Sequence, residues 1–365
     1  MAKIVTVYTS RHRDFSLVDM SYIRWLKISE ALAKCGHQVD IATNESSWRQ
    51  QKSPILMGQD LRRVPLSEVR WNDYDVVKTL FHGGFDTLET YGGKDHPFVI
   101  SKLGSVVGPE DMKGIYFYGA RREQLYSTQK KINQTSKYIT VLNGSAKELW
   151  TSCFGPRGNI LIVPGAVDRY VPLPSQDPYP RDHRTRCIFA GNVYSQNSQP
   201  EANAVLIDKL NKLGQFLSGH GARLYMLGPG DVRQIDQRYV TYLGVVSYEE
   251  AWNYFHFAHI GVVVAAGKFM HNNESSKIYH YLRVGLPVVS ESGFPNDHII
   301  IESKLGFVVE NGNLELMAQK IEEIAHEDWD RDYAINYILE NHTWYKRVEI
   351  YNEIIKENLA LPEIA

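Results

Sequence analysis

Residues 272–290 read NNESSKIYHYLRVGLPVVS, and this stretch decides the fold. A polar opening leads to Ser275 and Ser276, residue types that cap a helix start, and a helix over 277–284 follows. Gly285 is placed to end that helix and Pro287 to lead a β-branched strand at 287–290. The first turn of such a helix carries backbone N–H groups without intrahelical partners, and its positive end favours an anion. Lys277 adds a point charge of the right sign. His280 lies one turn on, on the same face by the three-residue step. Ser275, Ser276 and Lys277 therefore predict a seat for a diphosphate, with His280 placed to hydrogen-bond a ribose hydroxyl. The bland alternative is an ordinary capped helix with a solvated lysine and a satisfied histidine.

Outward from this stretch the same alternation fills the chain. Residues 3–8, 38–43, 74–80, 98–103, 138–142 and 160–163 read as strands. Between the first two, Trp25, Ile28, Leu32 and Cys35 recur at steps of three and four, so a helix with one apolar face is predicted, capped by Gly36. A second series has strands at 186–190, 223–227, 240–243, 260–265, 287–290 and 306–309, with helices at 201–217 and 277–284. Prolines at 172, 174, 178 and 180 among polar residues mark a linker. The expected architecture is α/β: two doubly wound, Rossmann-like domains facing across a cleft. The boundaries are 1–170 for the first domain, 171–186 for the linker, 187–342 for the second domain and 343–365 for a C-terminal helix placed to cross back to the first domain.

Bulk composition narrows the class. Apolar residues make up 43% of the 365 and charged residues 22%, a globular balance. No apolar run approaches the roughly 18–20 residues that a membrane span needs. The opening MAKIVTVYTSRHRD enters a strand at once without a cleavage-site pattern. Cys35, Cys153 and Cys187 lie far apart without metal-ligand spacing, which fits reduced thiols in a cytoplasmic protein. Residues 1–170 hold 23 Lys+Arg against 17 Asp+Glu, and the remainder 17 against 25. A basic first half suits an acidic acceptor or peripheral contact with the inner face of a membrane, although scattered solvated charge reads equally well. No nucleic-acid partner is predicted. The histidines show no ligand spacing, so no metal is expected. Asp328 and Asp330 fit an Asp-x-Asp pattern but lie in a helical region, and Asn143-Gly144-Ser145 is a glycosylation sequon with no meaning in the cytoplasm.

The run SSKIYHYLRVGLPVVS resembles the donor-site segment of glycosyltransferase family 4 and its relatives of the GT-B fold. Other segments are similar in order and spacing over roughly residues 1–330. They are VPGAVD (163–168) at the end of the first domain, FAGNV (189–193) entering the second, YMLGPG (225–230), and VTYLGVVSYEE (240–250). The resemblance implies a nucleotide diphosphate sugar as donor, a retaining outcome, no required cofactor or metal, and donor contacts from Gly191, Asn192, Gly228, Val246, Ser275, Ser276, Lys277 and His280. It implies catalytic roles for His82, Glu274 and Lys277. His82 is compared with a family histidine that touches the donor sugar, and Glu274 is placed to contact sugar hydroxyls. Two departures stand out. The paired family glutamates read Asn272 and His280, and the Arg and Lys expected after Gly191 read Asn192 and Asn197. The deficit would have to be made good by Lys277, by backbone amides or by a basic residue from the first domain, and Arg11 and Arg13, after the first strand, are the candidates for the last. Arg11, His12, Arg13, Gly83, Gly104 and Ser105 are placed on the acceptor side, with Arg121–Arg122 as a weaker addition.

The reading is a glycosyltransferase acting on an unidentified acceptor (a glycan, a lipid-linked sugar or a small molecule). A non-catalytic sugar-nucleotide sensor is the rival from another class, and a sugar-nucleotide epimerase the rival within the fold.

Overall fold

The structure, a computed structural model, describes residues 1–8, 20–43, 61–108, 119–182, 184–197, 199–267, 272–325 and 327–360. Seven strands form the first sheet: β1 (Lys3–Val7), β2 (Gln38–Thr43), β3 (Leu61–Pro65), β4 (Val76–Leu80), β5 (Val99–Lys102), β6 (Tyr138–Val141) and β7 (Ile160–Ile162), in the order β3-β2-β1-β4-β5-β6-β7. Six form the second: β8 (Thr185–Ala190), β9 (Ala222–Leu227), β10 (Val240–Gly244), β11 (Ile260–Val263), β12 (Val288–Glu291) and β13 (Gly306–Val309), in the order β10-β9-β8-β11-β12-β13. Every pairing is parallel, so each sheet is doubly wound, as expected, with order reversals at β1/β4 and β8/β11.

Central strands such as β4 are buried on both faces, and so they read as continuous apolar runs. Edge strand β3 is half-exposed and carries Arg62 and Arg63, which hid it from the sequence reading. It is held by Asp40 of β2, a buried carboxylate that accepts from Arg62 Nη2 at 2.6 Å and from the Tyr74 hydroxyl at 2.7 Å.

Helix α1 (Met20–Lys34) buries Trp25, Ile28 and Leu32 as the periodicity predicted, and the indole N–H of Trp25 donates to Thr6 Oγ1 at 2.9 Å. Cys35 falls just past its end, and Gly36 takes the φ of 86° that closes it. The last helix, Trp344–Leu359, returns to the first half and buries Trp344, Val348, Tyr351, Ile354 and Ile355 against α1 and the first sheet. Outgoing and returning chain meet at one point: Val167 N donates to His342 O at 3.0 Å, and Trp344 N to Val167 O at 3.2 Å.

The proline-rich stretch is not a loose tether. Its Tyr179 is buried edge-on against Tyr225 and Tyr254, and Asn253 holds Ser175 N and Gln176 O. Just before it, at Val167, the outgoing chain pairs with the returning one. Among the described residues no helix is long and apolar enough to cross a membrane.

Candidate functional site

Two glycine turns leave the carboxyl ends of β8 and β9 and meet at close range. Gly228 has φ 133°, and a Cβ there would sit 2.5 Å from the carbonyl oxygen of Gly191, so the approach needs glycine. Facing them is the start of the helix Ser276–Arg283, and a third wall comes from the helix Tyr248–Phe257. A cavity of about 360 Å³ lies between. Gly191, Asn192, Gly228, Val246, Glu274, Ser276, Lys277 and His280 line it, together with Tyr248, Ala251 and Phe255. The first half closes it with Met20, Ser21 and Arg24 of α1. The cavity therefore lies in the cleft, at strand ends, where doubly wound sheets place ligands.

Lys277 is half-buried along this wall. Its ammonium stands 4.8 Å from the ring centre of Phe189 and has no anionic partner among the described residues. A Cβ on Gly191 would come within 2.6 Å of its Cε and 2.8 Å of its Nζ, so the missing side chain is what gives the lysine room. Burial lowers its pKa to about 8, which leaves it largely charged at neutral pH. Ser275, expected beside it, is the N-cap but does not line the cavity. Its N–H donates to Asn296 Oδ1 at 3.0 Å, its hydroxyl makes no cap bond, and the first-turn amides are left without a side-chain partner.

His280 departs from the expectation. Its Nδ1 lies 2.6 Å from the carbonyl of Ser276, which can only accept, so the proton is on Nδ1; Nε2 is an acceptor 3.2 Å from the Tyr248 hydroxyl, whose single proton is also offered to Asp168 Oδ2 at 3.2 Å. The ring stacks near Trp252 at 5.1 Å, and burial lowers its pKa to about 4. It forms part of the cavity wall with its N–H spent on Ser276, so a ribose hydroxyl would have to meet Nε2 as the donor.

Glu274 is buried, and burial raises its pKa. Oε2 accepts from Gly165 N at 2.5 Å and from the Tyr279 hydroxyl at 3.2 Å. Oε1 takes no hydrogen bond among the described residues and is the oxygen available to a ligand.

His82 lies near the start of the helix Phe81–Thr90, away from this cavity. Its Nε2–H donates to Gln129 Oε1 at 3.0 Å, Gln129 holds both backbone groups of Val107, and burial lowers the pKa to about 4. So placed, His82 stays outside the cavity lining. Gly83, Gly104 and Ser105 also stay outside the lining, as does Asn197. Arg122 Nη1 donates to Gly108 O at 3.3 Å, and Arg11, His12 and Arg13 lie outside the described residues. Asp330 caps the helix Arg331–Asn341, and no group of three or more His, Cys, Asp or Glu side chains suited to a metal occurs among the described residues.

The sequence reading missed two faces. On the helix Tyr248–Phe257, Tyr248, Ala251 and Phe255 follow the three- and four-residue steps that signal one face, but that period alone does not separate cavity wall from core. On α1, only the face carrying Trp25 was visible.

Residues 208–334 match the family model described as Glucosyltransferase 3-like, C-terminal domain. A search of curated proteins finds no match. Among solved structures, HepE from Anabaena in complex with UDP and glucose is 12% identical, with a TM-score of 0.70 over 99% of this chain and 100% of that one. Sucrose-phosphate synthase from Thermosynechococcus elongatus is 13% identical, with a TM-score of 0.68 over 99% and 100%. AviGT4, a glycosyltransferase involved in avilamycin A biosynthesis, is 16% identical, with a TM-score of 0.65 over 99% of each chain. With two facing parallel sheets, a double crossing between them and a cavity at the strand ends of the second, the chain has the GT-B fold.

Proposed function

We propose that this chain is a glycosyltransferase that takes a sugar from a nucleoside diphosphate sugar and passes it to an acceptor. The observation that carries the reading is the cavity in which Lys277 and the uncapped start of its helix face the Gly191 and Gly228 turns. Two further facts support it: HepE, of like fold, is seen with UDP-glucose, and residues 208–334 match a glucosyltransferase-type domain. UDP-glucose is therefore the donor to test first.

In the proposed reaction the bond between the sugar's anomeric carbon and the diphosphate oxygen breaks, and negative charge gathers on the diphosphate. Lys277 and the helix amides are preset toward that charge, and closure of the cleft over the donor would exclude water and strengthen that stabilisation. Glu274 Oε1 is offered to sugar hydroxyls. Because cationic and amide groups supply the counter-charge, a metal ion is not required in this reading. The retaining outcome follows from the similarity to family 4 alone.

One observation favours a second reading. Asn192 and Asn197 replace the expected cations and the N–H of His280 is spent on Ser276, which suits a protein that binds a sugar nucleotide without turning it over. Incubation with labelled UDP-glucose and a panel of glycan, lipid-linked and small-molecule acceptors separates the two. Acceptor-dependent release of UDP with labelled product supports transfer. UDP binding without product or hydrolysis across the panel supports the sensor.

A further inference from the structure

We infer that Arg24, on α1 of the first half, supplies the second cation for the donor's diphosphate, across the cleft from Lys277. The inference rests on the nucleotide-sugar reading and names what replaces the cations absent after Gly191.

Position makes the case. Met20 and Ser21, with Arg24 one turn on, are the residues of the first half that line the cavity among those described. The helix carrying them is seated on the second half. Ile23 belongs to the apolar cluster of Tyr248, Trp252 and Ile278, Met20 packs against it, and Lys27 lies 3.5 Å from Asp168 at the crossing. The half-buried residues Ser21, Arg24, Lys27 and Glu30 recur every three positions, so one stripe of α1 runs along the cleft. The charge of Arg24 is felt inside the site: it helps to lower the pKa of His280 and of the buried Lys102, and it counters the burial-driven rise at Glu274.

Among the described residues the charged side chains that line the cavity are Arg24, Lys277 and Glu274, and one oxygen of Glu274 is committed to Gly165 and Tyr279. The two cations stand on opposite halves. A guanidinium presents a planar fork that matches two phosphate oxygens, whereas an ammonium is a point charge. A diphosphate held by both would bridge the halves, so that donor binding and closure of the cleft become one event.

Isothermal titration with UDP and with uridine, on the wild type, Arg24→Ala, Arg24→Lys and Lys277→Ala, tests this. Thermal melting confirms that each variant is folded, and Arg24→Gln replaces Arg24→Ala if the latter is not. The expected result is a loss of about tenfold or more in UDP affinity for Arg24→Ala with uridine little changed, and partial recovery in Arg24→Lys. If Lys277→Ala loses UDP affinity but Arg24→Ala and Arg24→Gln do not, or if they lose UDP and uridine equally, Arg24 is not at the diphosphate while the nucleotide reading stands. If the wild type binds no nucleoside diphosphate, that reading falls and the inference with it.

Discussion

The backbone N–H of Gly165 donates to Oε2 of Glu274 at 2.5 Å, which ties the crossing between the halves to the wall of the cavity. The carbonyl of the same glycine accepts from Arg347 Nε at 2.8 Å, so the final helix grips the crossing from the other side. A Cβ at Gly165 would lie 2.8 Å from Glu274 Oε2 and 3.1 Å from the Tyr279 ring. Gly165→Ala should therefore cost about 1–3 kcal/mol of unfolding free energy through overpacking, read from the urea midpoint. An unchanged midpoint would show that the contact yields freely.

Gly191→Ala should behave oppositely. The clash it creates is with the flexible end of Lys277, which can swing aside at little cost in stability. Nucleoside diphosphate affinity should fall about three- to tenfold as the ammonium is displaced, with the urea midpoint nearly unchanged. Unchanged affinity in titration would mean that Lys277 does not need its present position.

The sequence brought Ser276, Lys277 and His280 together at one helix start but did not show what that histidine does. Both sheets, the helix after Ser275 and the glycine turns were legible because burial on two faces and helix capping leave local patterns. The partners of His280 and His82 were not, since Ser276 O, Tyr248 and Gln129 meet them only once the chain has folded. Arg24 escaped for a related reason: the apolar stripe of α1 marks its core face, while the neighbouring stripe gains meaning only when the second half docks on it.

His280→Ala should act first on stability. It strips partners from Ser276 O and the Tyr248 hydroxyl and removes a ring from beside Trp252, a loss of about 2–4 kcal/mol in chemical denaturation. A variant as stable as the wild type would contradict this internal role.

The lowered pKa of Lys277 gives binding a pH signature. Below about pH 8 the free protein already carries the ammonium that the diphosphate prefers. Above it, binding must be accompanied by proton uptake, and affinity should fall by up to about tenfold per pH unit. UDP affinity measured from pH 7 to 9.5 should bend downward near pH 8, and Lys277→Arg, which stays charged, should remove the bend. A flat wild-type profile would place another group at the phosphates.

The most direct measurement is the difference between UDP and uridine binding on replacing Lys277 by alanine. If the ammonium at the helix start is the phosphate seat, Lys277→Ala should lose about tenfold or more in UDP affinity and leave uridine affinity nearly untouched. Equal losses for the two ligands, or none for UDP, would contradict it.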